Sequence, residues 1–140
     1  MPVAVDTNVL VGRTLKRDQY HEDATEVVGI IDKGEVPVAH VNSYVIAETM
    51  NLVGGRAGKG VAVELYDTLV ESAGFELQHA TKKDFQEADA VHRKYDSLSF
   101  VDSVTVAYMR REGIEYLYSF DDDFDAVGSV TRLADAVVPR

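Results

Sequence analysis

Val3-Ala4-Val5-Asp6-Thr7-Asn8-Val9-Leu10 decides how the rest of the chain is read. Three small apolar residues run straight into an acid, with no room for a helix ahead of it. Pro2 to Val5 therefore reads as a short buried strand. Behind Asp6, the residues Val9, Leu10 and Leu15 recur at helical spacing, which predicts a helix over Asn8 to Lys16. A fully apolar strand that passes at once into a helix belongs to a parallel sheet covered on both faces.

The same alternation continues outward. His21 to Lys33 carries Ala24, Val27, Val28 and Ile31 on one stripe and stops at Gly34. Val36 to Val41 is the second strand. Ser43 caps a helix through Asn51, closed by Gly54-Gly55, and Val61 to Ser72 is a longer helix ended by Gly74. Phe75 to His79 is the third strand. Thr81-Lys82-Lys83-Asp84 and Ser99-Phe100-Val101-Asp102 both have capping-box spacing, opening helices to about Tyr95 and about Glu112. Tyr116 to Ser119 is the fourth strand, Asp121 to Asp125 an acidic turn, and a last short strand lies within Val130 to Val138. The expected fold is α/β: a mostly parallel central sheet of four to five strands flanked by helices. At 140 residues, with no repeat or linker, the chain reads as one domain over 1–140.

The totals narrow the chemistry. There is no cysteine, so disulfides and thiolate metal sites are excluded. No apolar run is long enough to span a membrane and no leader segment is visible, so a soluble cytoplasmic protein is expected. The net charge is −10, from 24 acids against 14 bases, the wrong sign for holding nucleic acid by bulk electrostatics. Part of that acidity fits a cluster that loads cations. The rest fits a solvating surface: Arg outnumbers Lys 8 to 6 and Asp outnumbers Glu 14 to 10, a hint of a high-salt cytoplasm.

In open parallel sheets, ligands sit beyond the carboxyl ends of the strands. Applied to the acids, that rule selects four. Asp6 follows the first strand, Asp121 the fourth, Glu48 lies on the helix after the second, and Asp102 in the first turn of the helix before the fourth. Carboxylates brought that close raise one another's pKa unless a cation compensates. A donor set of oxygens without cysteine suits Mg²⁺ or Mn²⁺. Each acid also has an ordinary role: Asp6 and Asp102 as helix caps, Glu48 as a half-exposed helix residue, Asp121 as part of a polar turn. The specificity lies in the set.

Competing motifs fail. Asp121, Asp123 and Asp125 have the alternate spacing of a calcium loop, but its sixth and twelfth places hold Ala126 and Arg132 rather than Gly and Glu. Gly54 to Gly60 lacks the spacing of a phosphate-binding loop. His40 and His79 read as strand residues of core or edge, His21 and His92 as exposed helix residues. A receiver or Asp-x-Asp phosphatase needs further acids beside Asp6, where Thr7 and Asn8 stand.

The motifs Val5-Asp6-Thr7-Asn8-Val9-Leu10, Ala47-Glu48, Phe100-Val101-Asp102-Ser103 and Ser119-Phe120-Asp121-Asp122-Asp123-Phe124 resemble the PIN-domain family, and within it the VapC-type toxins of toxin–antitoxin pairs. The one departure is the run of acids around Asp122. The resemblance implies cleavage of single-stranded or loop-region RNA with Mg²⁺ or Mn²⁺, leaving a 5′-phosphate and a 3′-hydroxyl. It also implies homodimerisation and a small cognate antitoxin as inhibitor. On that reading Asp6, Asp102 and Asp121, with Asp123, hold metal, and Glu48 completes the shell or positions water. Asn8 and Ser119 orient carboxylates, and Thr7 and Ser103 are candidate contacts for substrate phosphate. Arg13, Lys16, Arg17, Arg56 and Lys59 are the cations available for RNA, and the apolar residues Val61, Val63, Leu65, Leu69 and Val70 exceed one buried stripe, enough for a dimer or antitoxin face. The rival readings are a housekeeping PIN nuclease without an antitoxin and a non-catalytic interaction module.

Overall fold

The computed structural model describes all residues, 1–140. Its order is β1 (Val3–Val5), α1 (Thr7–Thr14), α2 (His21–Asp32), β2 (Ala39–Asn42), α3 (Ser43–Ala57), α4 (Lys59–Glu71), β3 (Phe75–Gln78), α5 (Lys82–Lys94), α6 (Phe100–Glu112), β4 (Tyr116–Tyr118), a 3₁₀ turn (Asp122–Ala126) and β5 (Thr131–Leu133). The five strands form one sheet in the order β3-β2-β1-β4-β5, and every pair is parallel. This is the α/β architecture the alternation predicts. No helix is long and apolar enough to cross a membrane.

The two-residue period of a strand sorts side chains between two cores. Val3, Val5 and Tyr118 pack with Val9, Leu10, Val27, Ile31 and Val41 on the side of α1 to α4. Ala4 and Leu117 pack with Val106, Tyr108, Met109 and Phe124 on the side of α6. Because both faces are covered, β1 is buried at every position.

Helix α3 is capped by Asn42, whose Oδ1 accepts the Tyr44 and Val45 N–H groups, rather than by Ser43, and two boundaries depart most from expectation. The second strand begins at Ala39 rather than Val36, because Pro37 has no N–H to give a neighbouring strand. Helix α3 runs through Gly54-Gly55 to Ala57 instead of stopping there. The glycines cost roughly 1 kcal/mol each in helix propensity. Packing offsets that cost: Val53 is fully buried, and a side chain on Gly54 would sit 3.9 Å from Ala62 Cβ of α4. Gly58, at φ 97°, then turns the chain into α4. Gly74 is fixed by close approach, since a Cβ there would lie 2.5 Å from the Ile31 carbonyl oxygen. His79 falls beyond β3 and is exposed, so it is neither a strand nor a core residue. His40, on β2, forms a 2.7 Å hydrogen bond between Nδ1 and the buried Tyr108 hydroxyl.

Candidate functional site

Chain order reverses direction at β1: β2 and β3 lie to one side of it, β4 and β5 to the other. Residues that leave the carboxyl ends of β1 and β4 therefore flank a crevice that no crossover helix fills. Asp6 leaves β1 and Ser119 to Asp121 leave β4. An open cavity of about 490 Å³ lies there, and Asp6, Glu48, Asp102 and Asp121 all line it. Four acids from four segments, selected by strand-end placement, share one cavity.

Asp6 is the most constrained. It is 3% exposed and caps α1. Its Oδ1 accepts the Thr7 N–H at 2.8 Å, and its Oδ2 accepts the Ser119 hydroxyl at 2.7 Å and the Asn8 amide at 3.3 Å. Asn8 also donates to Ser119 Oγ at 3.3 Å and accepts the Phe120 N–H at 3.2 Å, which ties the ends of β1 and β4 together. Ser119 Oγ accepts the Asp121 N–H at 3.0 Å, so one hydroxyl braces two acids. Burial pushes the Asp6 carboxyl up to about 7, the Asp102 charge adds to this, and the Ser119 and Thr7 hydrogen bonds only partly oppose it.

Asp102 stands in the capping box of α6. Its N–H donates to Ser99 Oγ at 3.1 Å, and its Oδ2 accepts the Ser99 N–H at 3.2 Å. Burial raises it to about 6, with Asp121 and Glu48 pushing the same way against the Ser99 hydrogen bonds. It is thus a helix cap and a member of the acidic set together; the two roles are not exclusive. None of Asp6, Glu48, Asp102 or Asp121 forms an ion pair.

Asp123 does not line this cavity. Its carboxylate stands with those of Asp121 and Asp122, one oxygen of each within 4.8 Å of the others, and Asp121 raises its pKa. Asp125 is bound by Arg132 at 2.9 Å and 3.1 Å and held below the usual carboxylate range, so its charge is already matched by a cation of the protein. Arg132 also donates to the Ser119 carbonyl at 3.2 Å and so pins the acidic turn to β5.

Thr7 lines the cavity, and its buried hydroxyl has no hydrogen-bond partner. Ser103 does not meet the expectation of a substrate contact. It is fully buried and donates its hydroxyl to the Ser99 carbonyl at 2.9 Å, where it supports the cap that holds Asp102. The wall also contains Tyr20, stacked on Phe120 at 4.5 Å, and Arg56. No local motif marks Tyr20 or Arg132 as neighbours of the acids; both arrive through tertiary packing. Of the other cations, Lys16 and Arg17 border a neighbouring recess, whereas Arg13 and Lys59 lie in other cavities.

A PIN domain family model matches residues 3–130. The 23S rRNA-specific endonuclease VapC20 of Mycobacterium tuberculosis is 31% identical over 102 residues, 67% of this chain and 72% of that protein. The crystal structure of Mycobacterium tuberculosis VapC20, a Sarcin-Ricin loop cleaving toxin, superposes with a TM-score of 0.80 at 28% identity, covering 98% of this chain and 99% of that one. VapBC2 from Rickettsia felis, bound to a DNA fragment from its promoter, shares the fold with a TM-score of 0.72 at 14% identity, over 95% and 98% of the two chains.

Proposed function

Because this chain belongs to the PIN domain family, we propose that it is a metal-dependent endoribonuclease, the toxin of a VapBC-type toxin–antitoxin pair. One observation carries the reading: four carboxylates from four distant segments line one cavity, and none forms an ion pair with a side chain of the protein. Burying like charges without compensation costs stability. A divalent cation removes that cost, and an all-oxygen donor set suits Mg²⁺ or Mn²⁺. VapC20 acts on 23S rRNA, which makes an RNA phosphodiester the substrate to test first.

Asp6, Asp102 and Asp121 are the proposed metal ligands, with Asp123 extending the set on the Asp121 side. A bound ion supplies charge compensation at the scissile phosphate and a more acidic water. The residues do the rest. Ser119 and Asn8 fix Asp6 by hydrogen bonds that leave part of its carboxylate available. Ser99 fixes Asp102, and Ser119 fixes the backbone of Asp121. Glu48, half-buried on α3, orients the attacking water or completes the shell. Thr7 lines the same cavity, but its hydroxyl is buried behind the wall and is not positioned to meet a phosphate in this structure.

The partner readings rest on α4. Leu65 and Leu69 are buried, while Val63 and Tyr66 stay exposed and line a groove shared with Met50 of α3, and Val70 is exposed on the same helix. That face suits a second copy or a small antitoxin, and an RNA target implies a cytoplasmic location. The deciding experiment incubates total cellular RNA with Mn²⁺ and wild type or Asp6→Asn, mapping fragment ends. Cleavage by the wild type alone supports the proposal. Full activity in Asp6→Asn removes it.

A further inference from the structure

The acidic cavity contains one cation, Arg56. It shares that cavity with five carboxylates (Asp6, Asp18, Glu48, Asp102 and Asp121) and forms an ion pair with none. Its placement follows from helix periodicity: Glu48, Leu52 and Arg56 are one turn apart on α3 and all line the same wall. Arg56 also lines a second cavity of about 350 Å³ with Leu15, Lys16, Arg17 and Asp18. Arg56 and Asp18 are therefore the partition between the two, and the second cavity is a mainly cationic recess adjoining the acidic one. Lys16 and Arg17 are exposed and likewise form no ion pair.

In a chain with 24 acids and 14 bases, the gathering of three cations in one recess beside the acidic cavity needs a cause. A helix end favours a nearby cation through its dipole, which accounts for Arg56 on the last turn of α3. It does not account for the convergence of Arg56 with Lys16 and Arg17, which follow a different helix. We propose that the Lys16–Arg17–Arg56 recess is the phosphate-binding track that receives the RNA strand next to the scissile phosphate. This rests on the ribonuclease reading above and names how that site holds its substrate. Acids loaded with metal accept only the reacting phosphate; the adjoining phosphates need cations, and this recess places three of them beside the acidic cavity. Local charge thus overrides the −10 of the whole molecule, because screening confines each field to about 10 Å or less at physiological salt.

The test measures binding of a labelled single-stranded oligoribonucleotide to Asp6→Asn, which does not cut it, across a salt series with Mn²⁺. On that background the Lys16→Gln, Arg17→Gln, Arg56→Gln combination is compared with Lys33→Gln, Lys82→Gln, Lys94→Gln, which removes the same charge from exposed positions outside both cavities. Loss of three single-strand phosphate contacts lowers the slope of log affinity against log salt by about 2, and weakens binding at least tenfold. The control triple leaves slope and affinity unchanged. Equal effects of the two triples overturn the proposal, as does an unaltered slope in the recess triple. In parallel, cleavage is measured with Asp6 intact. If the recess triple cleaves with the KM of the wild type, the track is wrong and the nuclease stands. If wild type neither binds nor cleaves RNA, both fall. Melting temperatures of both triples identify any loss of fold.

Discussion

Two helices begin with the same device and put it to opposite ends. At α5, Thr81 and Asp84 form a capping box; at α6, Ser99 and Asp102 form another. Both acids occupy the third helical position and both bond back to the cap residue's N–H. Asp84, 1% exposed, has a cation: Arg111 of α6 reaches it through two hydrogen bonds of 2.8 Å and 3.0 Å. Although burial works against its charge, the hydrogen bonds and charge of Arg111, with those of Thr81, hold its carboxyl below the usual range. Asp102 has no such partner, faces Asp121 and Glu48, and is pushed up to about 6 by burial first and those charges next. The local motif fixes the backbone in both cases. What differs is whether the fold brings a guanidinium to the carboxylate or leaves that position to something from outside.

The sharpest way to break this comparison is to neutralise each acid in turn. Asp102→Asn keeps shape and cap but removes a charged ligand, so RNA cleavage in Mn²⁺ should fall by roughly 10³-fold or more while the circular dichroism spectrum is retained. Asp84→Asn should cleave normally at temperatures where it is folded. Equal losses of activity would erase the distinction. An intermediate effect is expected at Arg111. Arg111→Met leaves Asp84 buried without its cation, costing about 3 kcal/mol, a drop of roughly 10 °C in Tm. Metal affinity by calorimetry should not change.

The smallest effect is the pH dependence of stability without metal. Asp6 and Asp102 have folded pKa values of about 7 and about 6, above the reference of 3.8. The folded protein therefore holds protons that the unfolded chain releases, so stability from these groups is fully present below 3.8, declines above it, and is lost once pH has risen through about 6 and about 7. Asp84 has the opposite sign: its contribution is present above 3.8 and lost as pH falls through its depressed folded value. Melting in EDTA at about pH 5 and about pH 8 should give the lower Tm at the higher pH. Asp6→Asn should narrow the gap, and saturating Mn²⁺ should reverse it. A Tm that rises with pH in EDTA would show that the acids are not strained by one another.

The comparison also shows what is legible in the chain before it folds. Both capping boxes are local and can be read from four residues each. Strand-end placement identifies Asp6 and Asp121 because a buried parallel sheet leaves a plain signature, short apolar runs meeting an acid. Arg111 lies 27 residues from Asp84, and Arg132 reaches back across the acidic turn. Neither pairing has a periodicity to follow. Ser103 looks available beside Asp102, yet neighbours on a helix point about 100° apart, and α6 is buried from Ser103 to Met109. Gly54-Gly55 resembles a helix stop because propensity argues for one; only the neighbouring α4 decides otherwise. Sequence patterns identify side chains that serve their own element, and miss those that serve another.

The central place of β1 has a consequence for timing. The first strand made is the middle of the finished sheet, and on one side its neighbour is β4, which pairs Val3, Ala4 and Val5 with Tyr116, Leu117 and Tyr118. The hydroxyl that braces Asp6 comes from Ser119, 113 residues downstream. A nascent chain still emerging from the ribosome has Asp6 but neither that brace nor Asp121. The four acids of the cavity therefore cannot meet until β4 and the acidic turn behind it have been made.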